Sequence, residues 1–398
     1  MNKYILNTDI QNFINNNIDS DITSILLKGT SFNSVSTKAI IEQIEAKKKC
    51  KTKLPTWFQT KNIYYPNKLN IEQSSSEITA DYKSKCIEGN TIIDITGGFG
   101  VDCYYFSKRF KDVVHCELET HLSELVANNY KQLGIDNIQT QAVDGIEFLK
   151  QTTKPFDWVY ADPSRRHESK GKVFFLADCL PNIPEHLDVI FNHTNNLIVK
   201  TSPLLDLTIG INELKFVKTI HVVAVNNEVK ELLWILENHY TDKIDVKTIN
   251  ITKEQEFHFD FFMEDEKNLE SSYSKPLTYL YEPNAAILKA GAFNCICKQL
   301  PVYKIQKHTH LYTSEQLIDF PGRRFKILDI QSYNKKTLQK SGIKKANITT
   351  RNFPETVQQI RKKFAIQDGG NVYLFFTTDY DSNKIVIVTS KSYEALGQ

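Results

Sequence analysis

The chain has no apolar run near the roughly 18 residues needed to cross a membrane as a helix, although 41% of its 398 residues are hydrophobic. Its first residues, Met1 to Asp9, lack the apolar core of a signal peptide. A soluble globular protein in the cytoplasm is expected. Paired cysteines are missing as well. Cys50, Cys86, Cys103, Cys116, Cys179, Cys295 and Cys297 are odd in number and scattered, which argues against a disulfide framework and points to thiols in a reducing compartment. None has zinc-site spacing, Cys295-Ile-Cys297 alone offers too few ligands, and no metal is expected. Internal repeats and low-complexity tracts are also absent.

Net charge is small, +2, but unevenly spread. From Pro276 onward 18 Lys and Arg face 9 Asp and Glu, a net of +9, leaving −7 for residues 1–275. A basic tail of that size suits a polyanionic partner, or is a solvated basic surface.

Residues 1–70 read as polar helices at Asp9–Asn16, Asp21–Leu27 and Ser36–Lys49. The run Lys47 to Lys53 is either a solvated helix end or a nucleic-acid contact. Ser74 and Glu77 have the spacing of a capping box, so a helix should start near Ser75 with backbone N–H groups open to a ligand carboxylate; an ordinary capped helix fits equally well.

From Thr91 the pattern alternates. Strands are predicted at 91–96, 112–118, 137–143, 156–162 and 196–201, and helices at 101–110, 121–133, 145–151, 173–180 and 204–214. Strands separated by helices imply a doubly wound α/β fold around a mostly parallel sheet. Val217–Val225 and Val229–Leu236 are too close for a crossover, so they must form an antiparallel hairpin. A further strand pair follows at 245–252 and 256–262, and 264–275 reads as a polar boundary loop. After it, strands at 325–330, 346–351, 372–377 and 384–389 with helices at 335–341 and 355–364 make a small α+β domain.

The first strand breaks into Gly97-Gly98-Phe99-Gly100-Val101-Asp102. A dinucleotide fingerprint needs glycine where Cys103 stands, and Asp102 in the first helical turn would repel pyrophosphate while tolerating a cationic sulfonium. Glu117 ends the second strand where an acid can accept from ribose hydroxyls, with Glu119 as the competing choice. Asp144 follows the third strand, where it can accept from an adenine amine or cap a helix. The fourth strand ends Asp162-Pro163-Ser164-Arg165-Arg166. A carboxylate beside proline can accept hydrogen bonds from a substrate amine, and Pro163 fixes the backbone. Arg165 and Arg166 suit phosphate contact, base stacking, or a salt bridge that fixes the loop.

These residues resemble the Rossmann-like class I S-adenosylmethionine methyltransferases, whose seven-stranded sheet ends in such a hairpin. Asp94 to Asp102 is similar to the glycine motif of bacterial ribosomal RNA guanine-N2 methyltransferases. Asp162-Pro163 resembles the opening of the Asp/Asn-Pro-Pro-aromatic motif of amino-group methyltransferases. Ser164 replaces the second proline there, and Arg165 the aromatic residue. The signatures Glu72–Glu77, Asp162–Arg166, Tyr281–Ala286 and Phe320–Arg323 resemble a bacterial methyltransferase family with a THUMP-like C-terminal domain.

The resemblance implies four domains: an N-terminal helical domain (1–85), a methyltransferase domain (86–275), a ferredoxin-like linker (276–316) and a THUMP-like domain (317–398). It implies S-adenosyl-L-methionine as cofactor, held by Ser75, Glu77, Asp94, Thr96, Gly98, Gly100, Asp102, Glu117, Leu118, Asp144 and Gly145. Asp162, Pro163 and Arg165 would be catalytic. Arg166, Arg323, Arg324, Arg361 and Lys362 would meet RNA, either rRNA or tRNA, at a base amino nitrogen. The competing readings are a methyltransferase of a protein or small molecule, and a non-catalytic RNA-binding scaffold.

Overall fold

The computed structural model describes residues 2–165 and 175–391. The chain divides into two units, Met1–Lys218 with Leu232–Thr241, and Thr219–Glu231 with Asp242–Gln398.

In the first unit the β-branched run Thr91–Asp94 forms β1. Strands β2 (Asp112–Cys116), β3 (Ile138–Gln141), β4 (Trp158–Ala161) and β5 (Asn196–Thr201) join it in the order β3-β2-β1-β4-β5, every pair parallel. Ile92 and Ile93 of β1, and Leu197 to Val199 of β5, are wholly buried, as central strands covered on both faces must be. The hairpin strands are β6 (Val217–Val225) and β7 (Glu228–Glu237). Leu232 to Glu237 of β7 pair antiparallel with β5. Within the first unit the order is β3-β2-β1-β4-β5-β7, a parallel sheet finished by an antiparallel strand, as a doubly wound fold ending in a hairpin requires.

Ahead of the sheet lie helices α1 (Thr8–Asn16), α2 (Ile22–Lys28), α3 (Thr37–Lys53), α4 (Pro55–Gln59), α5 (Lys68–Gln73) and α6 (Glu77–Lys85). The lysine run of α3 is a solvated end in part: Lys48, Lys49 and Lys51 are exposed, whereas its two ends are tied to the protein. Lys47 is buried and its Nζ donates to Asn15 Oδ1 at 2.7 Å, Lys49 pairs with Glu72 at 3.0 Å, and Lys53 donates to the carbonyls of Ile71 and Glu72. Between the strands run α7 (Val101–Ser107), α8 (Thr120–Gln132), α9 (Gly145–Gln151), α10 (Ile183–Phe191) and α11 (Leu207–Glu213).

Two local expectations fail. The described part of 173–180 is not a helix: a 3-10 turn at Leu176–Asp178 leads into Cys179–Leu180, which pairs with Ser164–Arg165. The Glu213 carboxylate accepts from the Leu176 and Ala177 amides and so caps the start of this turn. The Ser74–Glu77 capping box does not form either. Ser76 caps α6 by accepting from Thr79 N, whereas the Glu77 carboxylate turns away to Thr56 N at 2.6 Å, Thr56 Oγ1 at 2.7 Å and the Tyr105 hydroxyl at 2.9 Å.

In the second unit Asn226 and Asn227 turn the hairpin with φ of 51° and 63°, a left-handed pair that asparagine tolerates better than most residues. Strand β8 (Asp245–Ile251) runs parallel to β6, and β9 (Glu256–Phe262) antiparallel to β8. The expected boundary loop begins with a short helix, Met263–Asn268. A second sheet contains β10 (Tyr279–Pro283), β11 (Tyr303–Lys304), β12 (Tyr312–Ser314), β13 (Gly322–Ser332), β14 (Asn347–Arg351), β15 (Val372–Thr378) and β16 (Lys384–Lys391), in the order β11-β12-β10-β13-β16-β15-β14. Alternation on β15 divides its core. Leu374 and Phe376 pack with Leu338 and Ile360 of the helices, while Phe375 packs with Leu280, Ile305 and Phe325, the period of two that a sheet covered on both faces requires.

Candidate active site

The carboxyl ends of β1 to β4 open on one cavity of about 450 Å³ in the first unit, within the range of small-molecule sites. Ser75, Asp94, Thr96, Gly98, Gly100, Asp102, Glu117, Leu118, Asp144, Gly145 and Asp162 all line it. Glu77 does not, because its carboxylate is committed to Thr56 and Tyr105. Pro163 is buried beside Asp162 without reaching the cavity. Arg166 lies outside the described residues, as does the Arg165 side chain.

The glycine turn has a steric basis. Gly100 has φ +76°, and a Cβ there would come 2.1 Å from the Tyr130 hydroxyl, which donates to the Gly100 carbonyl. Gly145 opens α9 directly against β1, where a Cβ would sit 2.3 Å from the Ile95 carbonyl oxygen. Both positions demand the smallest residue.

Five acids meet the cavity in distinct environments. Asp94 is buried, and its Oδ1 accepts from Thr96 N at 2.8 Å and Thr96 Oγ1 at 2.9 Å. Burial, opposed by the Thr96 amide and assisted by the charge of Asp102, pushes its carboxyl up to about 7. Glu117 accepts from Gly98 N through Oε2 and from Glu119 N through Oε1, both at 2.8 Å. Glu119 instead caps α8 by accepting from the His121 and Leu122 amides, so Glu117 is the acid presented to the cavity. Asp144 caps α9 through Oδ1, which accepts from Ile146 N and Glu147 N. The cap and the cavity wall are the same residue.

Asp102 is the surprise. Its Oδ1 accepts from Lys83 Nζ at 2.8 Å, and its Oδ2 from Ser75 Oγ at 2.9 Å and the Tyr160 hydroxyl at 2.8 Å. Burial alone would raise this carboxyl, but the charges of Lys83 and Lys200 and the bonds from Lys83 and Tyr160 outweigh it and hold the group below its ordinary value. The sequence reading did not single out Lys83, which a burial stripe through Ala80, Lys83 and Ser84 on α6 marks.

Thr96 links the strand tips. Its hydroxyl donates to Asp94 and accepts from the Asp162 amide at 2.7 Å. The Asp162 carboxylate accepts through Oδ2 from Lys200 Nζ at 2.6 Å. Lys200 was also missed. A lysine directly after the apolar run Leu197–Val199 of a central strand was the available signal. Among the described residues no Lys, Arg or His lines the cavity, whereas Asp94, Asp102, Glu117, Asp144 and Asp162 do. Such a wall disfavours pyrophosphate and suits a ligand carrying sulfonium and ammonium charge.

The basic candidates of the second unit hold partners of their own. Arg323 Nε donates to Glu282 Oε2 at 2.6 Å, and Arg351 Nη2 lies 2.6 Å from Oε1 of the same buried carboxylate. Arg324 reaches Asp319 at 3.2 Å. Arg361 pairs with Asp368 and donates to the carbonyls of Ala346 and Ile366. Lys362 is exposed.

Residues 279–321 match a ferredoxin-like domain family, and residues 322–391 match a THUMP domain-like family. Comparison with curated proteins gives no match. The crystal structure of a proposed methyltransferase from Porphyromonas gingivalis W83 is 30% identical, covers 98% of each chain and superposes with a TM-score of 0.89. An rRNA methylase from Streptococcus thermophilus (40% of this chain, 93% of that one) and a proposed methyltransferase from Streptococcus mutans in complex with SAH (40% and 96%) are each 16% identical, with TM-scores of 0.30. The full-length match, the strand order and the C-terminal domain agree: the chain belongs to the class I S-adenosylmethionine-dependent methyltransferases that carry a THUMP-like domain.

Proposed function

We propose that this enzyme methylates a base amino nitrogen in structured RNA, rRNA or tRNA, in the cytoplasm. The observation that carries the reading is a cavity whose charged lining residues, among the described residues, are all acids, with Asp162 at its rim. Gly98 and Gly100 would let the cofactor approach the backbone, Glu117 would accept from the ribose hydroxyls and Asp144 from the adenine amine. When bound, S-adenosylmethionine supplies a methyl carbon that accepts the amine lone pair while the carbon–sulfur pair returns to sulfur. Asp162 accepts from the amine, orients its lone pair and takes the proton that the methylated nitrogen releases, passing it to water. Little strong base is needed, so positioning dominates. The net charge of +9 beyond residue 275 supports RNA as partner.

The test is methyl transfer from labelled cofactor into total RNA from a source strain lacking the gene. Strong labelling there and little in RNA from the intact strain is expected. Equal labelling of the two would remove the RNA reading.

A further inference from the structure

The cavity presents an exposed apolar side chain on each side of β1. Leu118 follows Glu117 just past the end of β2 and is 71% exposed, and Leu180, paired with Ser164 just past the end of β4, is 54% exposed. Both line the cavity, as does Pro181 next to Leu180. Strands β2 and β4 flank β1, so their tips stand about 10 Å apart, two strand spacings. One base-sized ring cannot cover both leucines. With Glu117 and Asp144 assigned to the cofactor as above, its adenosyl group takes the Leu118 side. The Leu180 side is left for a second ring.

This second surface is held in place from both ends. Ser164 and Leu180 are directly opposed in an antiparallel pair, where opposed residues share a face, and both line the cavity. Cys179, one position back, is buried and does not line it, the alternation a strand requires. Upstream, the Glu213 carboxylate holds the Leu176 and Ala177 amides. Downstream, α10 begins at Ile183, which is wholly buried.

Enzymes that modify a base in folded nucleic acid hold its ring against apolar or aromatic side chains and read its edge with polar ones. Every base has an apolar face, so such a surface holds the ring without choosing it. The polar groups on this side of the cavity are Asp162 and Ser164.

We propose that Leu180 and Pro181 are the shelf on which the acceptor base lies, with its amine at Asp162. The inference rests on the base-amine reading above and deepens it by naming where the acceptor ring binds, on residues outside the Asp162 motif.

The test is steady-state methyl transfer by the full-length enzyme into the RNA that the wild type labels. Leu180→Ala should lose about tenfold in kcat/KM, and Leu180→Phe, which offers a broader face, should recover at least the wild-type value. S-adenosylhomocysteine should bind both variants within about twofold of wild type, which also shows that they fold. Leu118→Ala should instead weaken S-adenosylhomocysteine by about tenfold. Should Leu180→Ala melt well below wild type, Leu180→Gln, which keeps the length of the side chain without its apolar surface, takes its place with the same expectation.

A value for Leu180→Ala within about twofold of wild type, or a phenylalanine variant as slow as the alanine one, overturns the shelf and leaves base methylation standing. Loss of S-adenosylhomocysteine binding in Leu180→Ala with none in Leu118→Ala puts the cofactor on Leu180 and overturns it too. Wild-type label in a protein or small molecule, or on an RNA atom other than a base amine, overturns the base-amine reading and the shelf with it.

Discussion

Lys83 Nζ lies 2.8 Å from Asp102 Oδ1, with the lysine side chain wholly out of solvent. The pair ties α6 to α7, the helix that follows the glycine turn. Lys83→Met should therefore destabilise the protein by about 3–5 kcal/mol, because it strands a buried carboxylate. Urea unfolding measures it. Lys83→Met with Asp102→Leu should recover much of the loss, and a double variant no better than the single would contradict the pairing.

Asp94 carries a pH signature. Its folded-state value of about 7 exceeds the ordinary 3.8, so the folded protein holds a proton that the unfolded chain releases. This contribution to stability falls as pH rises from about 4 to about 7, then stays level. His115 has the opposite sense, since burial lowers it from 6.5 to about 4 and stability is lost as pH falls between those values. Asp94→Asn removes the first contribution alone. Its stability relative to wild type should improve by about 3 kcal/mol between pH 5 and pH 8. An offset independent of pH would rule out the protonated carboxyl.

Gly145→Ala places a methyl against the Ile95 backbone, 2.3 Å from its carbonyl oxygen. A main-chain atom cannot swing aside, so a cost of about 1–3 kcal/mol and a weakened cofactor site are expected. Thermal melts and S-adenosylhomocysteine titration report the two effects. Wild-type values in both would show that β1 and α9 are less tightly apposed.

Asp162→Ala should reduce methyl transfer by about 100-fold while cofactor affinity stays within a factor of about two, because the role proposed for the carboxylate is on the acceptor amine. Parallel loss of cofactor binding would assign Asp162 to the wrong ligand.

The basic residues of the second unit should separate by partner. Arg323→Ala frees the buried Glu282 carboxylate from one of its two arginines and should lower the melting temperature. Lys362→Ala should leave stability unchanged, weaken RNA binding and reduce the slope of log affinity against log salt by about one. The reverse pattern would move the RNA surface away from Lys362.

The sequence disclosed what depends on local pattern. The strand–glycine–helix opening, the acids at successive strand ends and the hairpin after β5 are all consequences of periodicity and short connections. It hid what depends on distant partners. Glu77 has the right spacing to cap its own helix, yet Thr56 and Tyr105, far away in sequence, take its carboxylate. Lys83 and Lys200 look like surface lysines until the fold brings Asp102 and Asp162 to them. Strands β11 and β12 span two and three residues, too short for alternation to register.

The Glu117 carboxylate is gripped on both oxygens by main-chain amides, one from the glycine turn and one at the start of α8. It is thus a fixed jaw and not a swinging arm. In the proposed ribose-binding role, a sugar entering the crevice would find its hydrogen-bond acceptor already aimed, and association would forfeit almost no rotamer freedom at that point.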